Sequence, residues 1–149
     1  MGVSFLKYIE ESFNIINESI NWAIKNNKPD SDKLENSRLA DSDHYALVFL
    51  NLEKVMRNVN TDPRTGTGLD ITKPDGGKNA KSFRLSRVRS HIASKGFLDP
   101  PIIAYNETDN YIEFENGRHR AFVAYQMGEK VIPFFVPKSQ KSYFENNYK

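Results

Sequence analysis

Phe114-Glu115-Asn116-Gly117-Arg118-His119-Arg120-Ala121 is the stretch on which the reading of the chain turns. The alternating run Tyr111-Ile112-Glu113-Phe114 leads into it and has the period of a strand. Ala121, Phe122, Ala124, Tyr125 and Met127 lead out of it at helical spacing, as far as Gly128, which fits the C′ position of a helix. Val131 to Val136 then reads as a second buried strand, with Pro133 pointing to an edge or a bulge. The unit is strand, glycine turn, helix, strand. Its turn is chemically unusual. Free N–H groups at a helix start attract anions, and cations there oppose the helix dipole. Arg118, His119 and Arg120 nonetheless crowd the first turn. A bound phosphate would account for them, with Asn116, Gly117, Arg118, His119 and Arg120 converging on one anion. The other reading pairs the arginines with Glu113, Glu115 and Glu129.

Outward from this unit, residues 102–105 and 111–114 form a hairpin across Asn106 to Asn110, approached by the extended Phe97-Leu98-Asp99-Pro100-Pro101. Residues 83–95 have helical period, with Leu85, Val88 and Ile92 buried and Gly96 as the stop. Arg84, Arg87, His91 and Lys95 line another face, with Arg89 beside them. No Asp or Glu lies between Lys78 and Lys95, so no helical partner screens this stripe. It is a candidate nucleic-acid contact surface, or simply a solvated face. Residues 60–81, rich in Gly, Pro, Thr, Asp and Lys, read as a long loop. One option for it is a lid carrying Lys73 and Lys78 to an anion. Residues 44–50 read as a buried strand and 52–59 as a short helix. The tail from Lys138 to Lys149 docks by Tyr143, Phe144 and Tyr148.

Phe5, Ile9, Phe13, Ile16, Ile20 and Ala23 or Ile24 recur at spacings of three and four. They predict an N-terminal amphipathic helix over residues 4–27, with Ser4 as cap and Asn26 to Pro29 as its end. Trp22 lies off that stripe and is expected to pack under a loop. The 149 residues suit one domain with a real core, and the net charge of +2 confines any nucleic-acid surface to a patch. The absence of cysteine excludes disulfides and thiolate chemistry. No signal peptide or membrane span is expected, so the predicted location is cytoplasmic.

Together, residues 83–136 resemble the ParB and sulfiredoxin-like superfamily: helix, Gly, Pro-Pro-Ile-Ile, hairpin, Gly117-Arg118-His119-Arg120, helix, Gly128 and the Ile132-Pro133 strand. The block from Phe114 to Arg120 and the upstream Tyr45-Ala46-Leu47-Val48 are similar to the plasmid fertility inhibition factor family. The resemblance implies an α/β fold, a small mixed sheet flanked by helices. It divides the chain into an N-terminal helix and connection (1–43), a core (44–137) and a tail (138–149). It implies a phosphate pocket at Gly117 to Arg120, taking a nucleotide such as ATP or CTP, with Mg²⁺, or DNA. It also implies a block to DNA transfer through conjugation or secretion machinery. Arg118 stands where sulfiredoxins carry their cysteine, which excludes that activity, and where partition proteins carry a glutamate. A metal-dependent nuclease or NTPase using Glu113, Glu115 and His119 is a further alternative. So is a non-catalytic inhibitor or immunity protein that binds a toxin or a secretion component.

Overall fold

The computed structural model describes residues 19–40 and 43–149. A mixed four-stranded sheet of order β4-β8-β6-β7 forms its centre, from β4 (Tyr45–Asn51), β6 (Ile102–Asn106), β7 (Tyr111–Asn116) and β8 (Val131–Pro137). β4 runs antiparallel to β8, β8 parallel to β6, and β6 antiparallel to β7. The expected α/β architecture with a mixed sheet is therefore present.

β8 is buried along most of its length because both faces of the sheet are covered. Ile132, Phe134 and Val136 face the larger core, with Val48, Leu50, Ile103, Ile112 and Phe114. Three helices supply the other side of that core: α1 (Leu52–Asn58), α2 (Ser82–Ala93) and α3 (Arg118–Gln126). Phe135 points the other way, onto Ile102, Ala23, Leu34 and Leu39. Pro133 is tolerated inside the sheet for a local reason. Alternation turns its nitrogen to the same side as the Phe135 amide, which reaches Pro101 O at 2.9 Å on the β6 side. β6 pairs with β8 only at Ile102↔Phe135, so no ladder bond is lost at Pro133. The tail forms α4 (Lys141–Asn147), with Phe144 and Tyr148 buried in the larger core as expected.

The predicted N-terminal helix needs correction. Its positions 1–18, Ser4 included, lie outside the described residues. The remainder is extended: β1 (Asn21–Trp22), β2 (Ile24–Lys25) and β3 (Lys28–Pro29). β2 and β3 form a hairpin whose two loop residues, Asn26 and Asn27, have φ of 55° and 61°. Positive φ at both central positions is what a tight hairpin turn demands, and Asn tolerates it better than most residues. β1 pairs in parallel with β5 (Phe97–Leu98), which places half-buried Trp22 opposite Leu98.

Residues 60–81 are irregular, but they are tied down. Asn79 Nδ2 donates to the carbonyls of Thr61, Gly66 and Gly68 at 3.3, 3.5 and 3.0 Å. Thr67 Oγ1 accepts from the Phe114 amide at 2.8 Å, and Val59 bridges Ile112, so the loop covers the outer edge of β7.

Candidate anion-binding site

The hairpin of β6 and β7 contains an irregularity that aims the site. Ile103 pairs with Phe114 but Ile102 pairs with Asn116, leaving Glu115 as an extra residue. Gly117 follows at φ 88°, and α3 begins at Arg118. A side chain at 117 would place its Cβ 2.9 Å from Pro101 Cα and 2.7 Å from Arg120 Nη2. The turn is closed both sterically and conformationally to anything but glycine.

The first intrahelical donor of α3 is the Ala121 amide, bonded to Gly117 O at 3.0 Å. The amides of Arg118, His119 and Arg120 lie ahead of it, and the N-cap residue, Gly117, has no side chain to cap them. α2 runs alongside. Arg84, Arg87 and His91 from α2 share a cavity of about 590 Å³ with Asn116, Gly117, Arg118, His119 and Arg120. That volume falls within the range of small-molecule sites, roughly 300–1,000 Å³. Glu35 and Asn36 also line the cavity. Asp99 holds them there by accepting from the Glu35 and Asn36 amides at 2.7 and 2.9 Å.

The guanidiniums are poorly compensated. Among the described residues the ion pairs are Arg57–Glu53, Arg64–Asp62, Lys141–Glu145 and Lys149–Glu145. None joins Glu113, Glu115 or Glu129 to an arginine of the turn. Glu115 accepts from Tyr45 OH at 2.7 Å, and Glu113 from Asn106 Nδ2 at 3.1 Å. Arg120 Nε is buried without a hydrogen-bond partner. Burial pulls the Arg120 pKa down, against the opposing pull of Asp99 and Glu35. Burial also lowers that of Arg118, with Arg84 adding repulsion, and Arg118 Nε has only a long 3.4 Å bond to Asn79 O.

His119 has a different part. It is 5% exposed, and its Nε2 accepts from the Lys81 amide at 3.0 Å. Burial first, then the charges of Arg118, Arg84, Lys81 and Arg120, push its pKa down to about 4. The ring is neutral near pH 7 with its proton on Nδ1. It pins the start of α2 to the start of α3.

The structure sorts the sequence-predicted residues into separate places. Arg84, Arg87, His91 and Asn116 to Arg120 come together around the cavity. Arg89 does not: its Nη2 donates to Gln126 Oε1 at 2.6 Å, between α2 and α3. Lys95 lies beyond the cavity and is itself the left-handed residue ending α2, at φ 63°. The stop expected at Gly96 therefore falls one residue early. Lys73 and Lys78 do not line the cavity, so the loop contributes through Asn79 and Lys81 instead of a lysine-bearing lid. Glu113 and Glu115 are also outside it. Among the described residues, no group of three or more His, Asp or Glu side chains could hold a metal ion. No helix among them is long and apolar enough to cross a membrane. Sequence reasoning missed Glu35, Asn36, Asp99, Asn79 and Lys81. Only Asp99, ahead of two prolines at a strand end, carried any local signal.

No protein-family model, no curated protein and no solved structure matches this chain.

Proposed function

We propose that this chain is a ParB/sulfiredoxin-like, fertility-inhibition-type protein that holds the phosphate of a nucleotide or of DNA at the start of α3, and that this binding blocks DNA transfer. The observation that carries the reading is Arg120 Nε, buried and unpartnered beside uncapped helix amides. A buried guanidinium N–H left without an acceptor is costly. A phosphate in the cavity would supply acceptors to Arg120, Arg118 and the helix amides together. Arg84 and Arg87 on the facing helix extend the positive wall. A triphosphate such as ATP or CTP fits this donor set. Mg²⁺, if it accompanies the nucleotide, would draw mainly on phosphate oxygens and water.

The site reads as a binding site in preference to a hydrolytic one. The acceptor nitrogen of His119 is committed to Lys81, and the carboxylates of Glu113 and Glu115 are engaged outside the cavity. The test is a salt-titrated binding assay with nucleotides and DNA, comparing the wild type with Arg118→Ala/Arg120→Ala. Expected is binding that weakens with salt and falls by about a hundredfold or more in the double variant, since charged hydrogen bonds contribute roughly 1.5–3 kcal/mol each. Binding that survives the double substitution would end the proposal.

A further inference from the structure

α2 carries a feature that phosphate binding alone leaves unused. Phe83, in its first turn, is 57% exposed, and Phe97, just past its end, is 40% exposed. Phe83 lies one helical turn before Arg87, on the same face. The Arg84 guanidinium carbon lies 5.7 Å from the Phe83 ring centre, and Lys33 Nζ lies 4.9 Å from that of Phe97. Phe97 lines the cavity, and its carbonyl sits 2.8 Å from His91 Nε2. An aromatic ring therefore stands at either end of the arginine wall. Exposed aromatic rings interleaved with cations match the chemistry that holds a single-stranded nucleic acid, with rings stacking on bases and cations tracking the backbone.

We propose that the ligand is a single-stranded nucleic acid lying along α2, with a phosphate in the cavity and bases stacked on Phe83 and Phe97. This inference rests on the phosphate-binding reading. Two arguments narrow the class. From Phe83 to the level of His91 is about 12 Å along the helix axis, several times the roughly 3.4 Å between stacked nucleotides. One nucleotide cannot engage both rings, whereas a short strand can. In a duplex the base faces are already stacked on one another, so exposed rings would find no partner there. Most of the residues around the cavity that belong to α2 and the Glu35–Asn36 wall are themselves exposed, so the site is open enough for a chain to run through.

The experiment measures anisotropy of a labelled oligo-dT single strand and of a duplex of equal length, and pyrophosphate binding by calorimetry. It compares the wild type, Phe83→Ala and Phe83→Tyr. The single strand is expected to bind more tightly than the duplex. Phe83→Ala should weaken it by about fivefold or more while leaving pyrophosphate affinity unchanged, and Phe83→Tyr should restore it. Pyrophosphate binding with a strand affinity indifferent to Phe83→Ala, or with duplex bound equally well, overturns the single-strand assignment and leaves the phosphate site standing. Failure of both pyrophosphate and oligonucleotide to bind removes the phosphate site and this inference together.

Discussion

α1 and α3 pack against each other and obey opposite rules. α1 is stabilised at its ends. Asn51 Oδ1 accepts from the Lys54 amide at 3.1 Å, Glu53 sits in the first turn, and Arg57 sits in the last, 2.8 Å from Glu53. Each choice suits the helix dipole or fills an orphan donor. α3 has no side-chain cap, no acid in its first turn and no base in its last. Its cations stand at the wrong end. Burial of Ala121, Phe122, Val123 and Ala124 holds it in place instead. Where an end is arranged against helix stability, something outside the helix has set the arrangement.

The largest effect should come from forcing α3 to start like an ordinary helix. Gly117→Ala combines a left-handed residue with a Cβ in contact distance of Pro101 backbone. Expected is a loss of about 3–4 kcal/mol in urea unfolding, from roughly 1–2 for the backbone and the rest from overpacking. In α1, Asn51→Ala should cost only about 1 kcal/mol. Equal costs would mean that Gly117 is under no special constraint.

Acid should separate the two helices next. The unfolded chain protonates His119 near the ordinary 6.5, whereas the folded chain resists until about 4. Between those values the unfolded state binds more protons. Stability is therefore complete above about pH 6.5 and falls as pH drops toward 4, by up to about 3 kcal/mol. Urea midpoints measured across that window should show the slope in the wild type and a shallower one in His119→Gln. A bound phosphate, by offsetting the arginine charges around the ring, should also reduce it.

Arginine substitutions should then differ in sign. Arg120→Met removes a guanidinium whose Nε is buried without a hydrogen-bond partner and whose charge is only partly offset by Asp99 and Glu35. It should leave stability unchanged or raise it by about 1 kcal/mol, while phosphate affinity falls by about tenfold or more. Arg57→Met breaks an exposed pair and should cost no more than about 0.5 kcal/mol, with no effect on binding. If Arg120→Met destabilises strongly, Arg120 serves the fold and the contrast with α1 disappears.

These same features explain what the sequence made legible. α1, β4, the β6–β7 hairpin and β8 each bury a face whose period shows in the residues themselves, such as Leu52, Val55 and Met56 or Ile112 and Phe114. The glycine turn was visible because Arg118 and Arg120 violate a local rule. The segment from Ile20 to Pro29 was misread because Ile20, Ala23 and Ile24 satisfy a helical spacing as readily as an extended one. The deciding residues are Asn26 and Asn27, whose positive φ reverses the chain. The contribution of Glu35 and Asn36 to the cavity was invisible for another reason. Glu35 and Asn36 meet Asp99 across more than 60 residues, and Lys81 meets His119 across 38. No local period encodes such contacts.

A further small effect concerns helix ends, where α2 and α3 solve one problem unequally. α3 closes with the Gly128 amide on Tyr125 O at 3.0 Å and the Glu129 amide on Ala124 O at 3.1 Å, with Gly128 in the left-handed position. α2 makes the same pair of bonds, from Lys95 to Ile92 O and from Gly96 to His91 O, both at 2.9 Å, but Lys95 occupies the left-handed position. The adjacent glycine is held back for packing: a Cβ at 96 would lie 2.3 Å from His91 Nε2. Lys95→Gly should therefore stabilise the fold by about 0.5–1 kcal/mol, the relief of left-handed strain less the added freedom of the unfolded chain. Thermal unfolding should show a rise of a few degrees. Phosphate affinity should not change, because Lys95 lies outside the cavity. A gain in stability accompanied by weaker strand binding would extend the basic surface past the end of α2, and no gain at all would mean that Lys95 makes up for its own strain.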